Sequence, residues 1–123
     1  MNTAWRVAAG IPSLIFMSIG VGWWIAPGFV GAQLGMTLLS GAGLGTQIGD
    51  LASFFLTLGA CILIGLATAK RVWLYPPMIL LGLAIAGRVI AWLFHDAELL
   101  LNAIAVEGSV TVLLIFAARK LAK

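Results

Sequence analysis

From Tyr75 to Phe94 the chain reads YPPMILLGLAIAGRVIAWLF, twenty residues with a single charge, Arg88, set among Leu, Ile, Ala and Gly. A helix of that length covers about 30 Å, the thickness of the hydrocarbon core of a bilayer. Pro76 and Pro77 fall at its start, where a missing N–H is tolerated. An arginine inside such a stretch is unfavourable unless a partner or a water-filled cavity receives it. The stretch therefore predicts a membrane-spanning helix and requires a partner for Arg88.

The rest of the 123-residue chain has the same character: 63% of it is hydrophobic and 9% charged. A soluble domain has about 45–50% apolar and about 25% charged residues, so this composition excludes a secreted, cytosolic or disordered protein. Three further spans fit, giving approximate ranges of 7–26, 50–69, 75–94 and 98–118 within a single integral membrane domain over 1–123. The first is closed by Pro27-Gly28, the second by Lys70-Arg71 and the fourth by Arg119-Lys120. The first is too long for the apolar region of a signal peptide and ends in Trp23-Trp24 where a small-residue cleavage site would be needed, so it reads as a retained helix. The expected fold is an all-α, four-transmembrane-helix bundle.

Arg6, Lys70, Arg71, Arg119, Lys120 and Lys123 flank the spans at one end, and no basic residue flanks them at the other. The positive-inside rule then puts both termini and the 70–74 turn in the cytoplasm. Trp5, Trp73 and Tyr75 are expected at the inner interface, and Trp23, Trp24 and Trp92 at the outer one. With that topology, the net charge of +3 does not indicate a nucleic-acid partner.

The connection 27–49 divides in two. Gly28 to Leu39 is too apolar for a free loop and too short to span, which predicts a short interfacial helix or re-entrant piece. Ser40 to Gly49 reads as a flexible lead into the second span, with no dinucleotide spacing among Gly41, Gly43 and Gly45. Gly31, Gly35, Gly41 and Gly45 are expected to serve close helix approach.

Glu107 is the natural partner of Arg88. Arg88 lies seven residues before His95 and Glu107 nine after Glu98, or about 10 and about 13 Å deep on adjacent helices. Ser53, Thr57, Cys61 and Gly65 recur every four residues on the second span, with Asp50 one turn above. These faces, turned inward, would bring Asp50, Arg88, Glu107 and His95 to one outward-opening polar pocket. That pocket reads either as a structural clamp or as a ligand-binding or proton-handling site. No metal is expected, because His95, Asp96 and Glu98 sit in a turn at the water interface. No catalytic residue is expected either: Cys61 lies in an apolar run and no base stands near a nucleophile. The single histidine excludes haem ligation by a histidine pair, and no cofactor is expected.

Asp50 opening the second span, Phe54-Phe55 after it, Gly87-Arg88 in the third and Glu107 in the fourth resemble the DoxX-like group of small four-helix membrane proteins. Within it the chain is most similar to the bacterial family called domain of unknown function 4345. Lys70-Arg71-Val-Trp73 ahead of Pro76-Pro77 is similar as well, and the resemblance covers roughly 5–120. It implies a four-helix bundle in the bacterial inner membrane, with Arg88 and Glu107 as family-typical polar positions. DoxX itself is associated with a membrane thiosulfate:quinone oxidoreductase, and animal relatives act as receptor-assembly chaperones. This chain has one cysteine and no paired-thiol centre.

The leading functional expectation is a non-enzymatic accessory or assembly subunit beside a larger membrane-protein partner. The alternative is binding or transport of a small amphiphile, a quinone or lipid, in the Arg88–Glu107 pocket. Small multidrug exporters carry their essential glutamate in the first helix, which here has no charge, and some lack the basic bias seen here. Lipid is the one certain partner, and homo-oligomerisation through the small-residue patches stays open.

Overall fold

The computed structural model describes residues 2–121; Lys123, one of the six flanking basic residues, lies outside them. The described residues form α1 (Thr3–Ile25), α2 (Pro27–Gln33), α3 (Gly41–Thr68), a 3-10 turn (Arg71–Leu74), α4 (Tyr75–Phe94) and α5 (Leu101–Lys120). Four of these stretches are long and apolar enough to cross a membrane: α1, α3, the 3-10 turn with α4, and α5. This is the architecture of a multi-pass all-α membrane protein.

The helices begin and end where local chemistry allows. Asn2 caps α1, its side chain accepting from the Trp5 N–H at 3.1 Å. Pro27 opens α2, where its missing N–H leaves no unpaired group. At the end of α2, Gly35 takes φ +75°, its N–H donates to Ala32 O, and the Met36 N–H donates to Gly31 O at 2.8 Å. That is a Schellman closure, which needs the left-handed conformation that glycine adopts without strain. Ala69 ends α3 in the same conformation at φ 56°, and the Lys70 N–H returns to Gly65 O.

Packing is pairwise. α1 lies against α3 over most of its length, and α4 forms a hairpin with α5. The α1–α3 contact depends on two missing side chains. A Cβ at Gly59 would stand 2.6 Å from the Ser13 carbonyl oxygen, and one at Gly20 2.6 Å from Leu56 Cγ. Without a hydrophobic drive between helices in lipid, such close backbone approach supplies much of the packing attraction. Leu58, Ile62, Leu74, Leu81 and Leu114 form a fully buried core around this contact. The outer faces are apolar too, with Ile25, Phe29, Leu83, Phe94 and Leu101 all more than half exposed on the isolated chain.

Several expectations are corrected. The helix that carries the second span begins at Gly41, nine residues before Asp50, so the glycine-rich lead is helical. Glycine disfavours helix by about 1 kcal/mol each in water, but helix is the form that satisfies every backbone group near lipid. The fourth span begins at Leu101 and not near Glu98. Gly35 and Gly41 have positive φ, and together with Gly45 they have open space beyond their Cα atoms. Close approach belongs instead to Gly20, Gly59 and Gly65, while Gly31 packs against the Trp23 ring, where a methyl group would come within 3.4 Å. Trp23 is wholly buried with no hydrogen-bond partner for its Nε1 among the described residues, so it packs inside the bundle and is not an exposed anchor.

Candidate functional site

Arg88 and Glu107 stand on neighbouring helices of one hairpin. Arg88 is six residues from the end of α4 and Glu107 six from the start of α5, so both lie about 9 Å from the connecting turn. Equal depth across a tight antiparallel pair brings them together, and Arg88 Nε donates to Glu107 Oε1 at 2.7 Å. This is the short, charge-assisted type of hydrogen bond, about twice as strong as a neutral one. The carboxylate side chain is 11% exposed and the arginine 37%. The contact is single. The Nη groups of Arg88 and Oε2 of Glu107 make no hydrogen bond among the described residues, so donors and an acceptor remain available beside the pair.

Both residues line a cavity of about 500 Å³. Its walls come from every long helix: Phe16 and Ile19 of α1, Phe54 and Phe55 of α3, Leu81 of α4 and Ala103 of α5. Gln33 and Gly35 border it at the end of α2, and Asn102 joins from the first turn of α5. The rings of Phe54 and Phe55 stand edge to face at 5.1 Å, and Phe16 lies 6.1 Å from Phe55, a geometry that adds packing energy beyond area burial. Leu81 is thirteen residues from the end of α4, so the lining reaches about 20 Å along the bundle. A mostly apolar chamber of this size with a few convergent polar groups has the form of a small-molecule site.

Gln47 holds the connection that borders this cavity. It is buried, accepts from the Leu39 N–H at 2.9 Å and donates to the Thr37 carbonyl at 3.1 Å. One side chain thereby satisfies two backbone groups of a non-helical segment that would otherwise be orphaned. By sequence alone Gln47 falls in a flexible lead, and nothing there marks Gln33 or Asn102. The signal available was a polar amide one helical turn from Gly43, usable only once 41–49 is known to be helical.

Of the four residues expected in one pocket, Arg88 and Glu107 meet and Asp50 and His95 do not join them. Asp50 is exposed and borders a separate hollow with Thr37, Leu39, Thr46 and Gln47. His95 is exposed just beyond α4, at a turn where Asp96 takes φ 56°. The stripe Ser53, Thr57, Cys61, Gly65 does not make an inner polar face either. Ser53 and Thr57 are exposed, and the Ser53 hydroxyl donates to the Gly49 carbonyl of its own helix at 2.6 Å. A hydroxyl satisfied in that way needs no polar interior. Among the described residues no three of His, Cys, Asp and Glu come together as a metal site would require.

No family model matches the chain, and no curated protein or solved structure matches it. The chemistry of the site therefore rests on its own geometry.

Proposed function

We propose that this membrane protein binds a small amphiphile, a quinone or lipid, whose head accepts hydrogen bonds from Arg88 while its apolar body lies along Phe16, Phe54 and Phe55. The observation that carries this reading is that a half-satisfied ion pair lines a cavity walled by aromatic and aliphatic side chains. Arg88 and Glu107 neutralise each other, which favours a neutral or zwitterionic head over an ion. The free Nη donors select a carbonyl or ester oxygen.

In the same reading the end bearing Arg6, Lys70, Arg71, Arg119 and Lys120 faces the cytoplasm, α2 lies at the outer interface, and the cavity belongs to the outer half of the bundle. A relationship to the DoxX-like proteins, and with it a bacterial inner-membrane location, is part of the proposal and is supported by Asp50, Phe54, Phe55, Gly87, Arg88 and Glu107.

The test is a thermal-shift titration in mild detergent with a short-chain ubiquinone analogue and a short-chain phosphatidylcholine. Saturable stabilisation of the wild type by one of them, absent in Arg88→Ala, supports the reading; no saturable shift with either rejects it.

The accessory-subunit reading draws on α4. Only Pro77 and Leu81 of that helix are buried, and Ile79, Leu83, Ile90 and Leu93 are at least half exposed. Co-purification of a stoichiometric membrane partner, lost when Leu83 and Ile90 are changed to Ser, would favour it.

A further inference from the structure

At the end of the bundle opposite the cavity, the charged side chains of the described residues are all cationic. Arg6, Lys70, Arg71, Arg119 and Lys120 gather there, whereas Asp50, Asp96, Glu98 and Glu107 all lie toward the other end. Arg88–Glu107 is the one ion pair among the described residues, so none of these five cations pairs with a described carboxylate. Lys120 instead stands 5.8 Å from the Trp5 ring, joining the end of α5 to the start of α1.

Two of the five converge. Arg71 from the 3-10 turn and Arg119 from the last turn of α5 line one hollow of about 200 Å³ together with Tyr75. Its remaining walls are apolar: Met78, Ile115 and Ala118. Arg119 is also held over the Phe116 ring at 5.8 Å. Two exposed arginines lining one hollow make a place where an anion is favoured. Their planar forks and the Tyr75 hydroxyl are the donors that phosphate oxygens match. The adjoining surface fits acyl chains, since Ile115 and Phe116 are each at least 40% exposed.

We infer that this hollow seats the phosphate of an anionic phospholipid, with Arg71, Arg119 and the Tyr75 hydroxyl as its donors and Met78 and Ile115 against its chains. Its position is that of a headgroup site: Arg71 and Arg119 stand at the ends of two candidate spans, and basic pockets between membrane helices at such ends hold lipid phosphates. The site is independent of the cavity at Arg88–Glu107, with which it shares no lining residue.

The experiment is native mass spectrometry of detergent-purified protein titrated with phosphatidylglycerol or phosphatidylcholine of matched chains, with inorganic phosphate as competitor. One phosphatidylglycerol is expected to bind in preference to phosphatidylcholine. Arg71→Gln with Arg119→Gln should weaken it about thirtyfold, the effect of losing two cationic contacts. Arg6→Gln with Lys70→Gln removes the same charge from the same end, outside the hollow, and should weaken binding less than about threefold. Equal losses in both double variants would make the effect general surface charge and overturn the site. Equal binding of the two lipids would overturn it as well. Displacement by millimolar phosphate alone would show a free-anion site and overturn the assignment to a lipid.

Discussion

Arg88 and Glu107 meet through a single hydrogen bond, Nε to Oε1 at 2.7 Å, from positions six residues on either side of the α4–α5 connection. The equal offsets put both charges at one depth, and the single contact leaves the rest of both groups beside the cavity. The ion pair joins α4 to α5, and in the amphiphile-binding reading proposed above its free donors also serve a guest. The two roles are separable by substitution.

The clamp predicts strong coupling. Arg88→Ala leaves a mostly buried carboxylate without its partner and should destabilise by about 3 kcal/mol. Glu107→Ala should destabilise less, because the stranded arginine is 37% exposed. The double variant should be no less stable than Arg88→Ala by more than about 1 kcal/mol. Thermal unfolding in one detergent measures all three, and additive losses would mean the pair contributes no coupling.

Gly59 and Gly45 should respond oppositely to alanine. A methyl at Gly59 would press on the Ser13 carbonyl at 2.6 Å, forcing α1 and α3 apart and lowering stability by about 2–3 kcal/mol. Gly45 is exposed within α3 with nothing near its Cα, so Gly45→Ala should stabilise by up to about 1 kcal/mol. Unfolding midpoints of the two variants check both signs, and an unchanged midpoint for Gly59→Ala would contradict the close contact.

Gln47→Ala should orphan the Leu39 N–H and the Thr37 carbonyl, with a loss of about 1–3 kcal/mol. The effect should be local: amide exchange at Leu39 should accelerate well beyond that at Leu58 in the core. Unchanged protection at Leu39 would show that Gln47 does not hold this segment.

The topology is testable by labelling in a Cys61→Ala background. A membrane-impermeant maleimide added to intact cells should modify Ala97→Cys at once and Lys70→Cys only after permeabilisation. The reverse pattern would invert the orientation.

The sequence reading succeeded where bilayer physics leaves one solution. The twenty residues at 75–94, uncharged but for Arg88, form the single helix α4, which with the preceding 3-10 turn is long and apolar enough to cross a membrane. A lone Arg88 at that depth must find an acid, and on the next helix only Glu107 lies at matching depth. It fell short where tertiary contacts overrule local preference. The glycines at 41, 43 and 45 suggest flexibility, yet α3 runs through them for 28 residues. That is about 42 Å, longer than the hydrocarbon core. Trp23 looks like an interfacial anchor because periodicity does not reveal that α2 folds back over it. Asp50 and His95 fit a polar pocket by face and depth alone, but Asp50 is exposed beside Thr37 and Leu39 and His95 is exposed just past the end of α4.

The measurement that bears most directly on the amphiphile-binding site is the identity of small molecules retained by the purified protein, for wild type and for Ala103→Phe. Ala103 lines the cavity and is half-buried, one helical turn before Glu107, so a larger side chain there fills the chamber while both members of the ion pair are kept. Extraction and mass spectrometry of the wild type should yield one polar-headed amphiphile near one per chain. Ala103→Phe should lose it while keeping its unfolding midpoint within a few degrees, a stability change of about 1 kcal/mol or less. A wild type carrying only bulk lipid, or a variant retaining the same molecule in full, would contradict a ligand in this cavity.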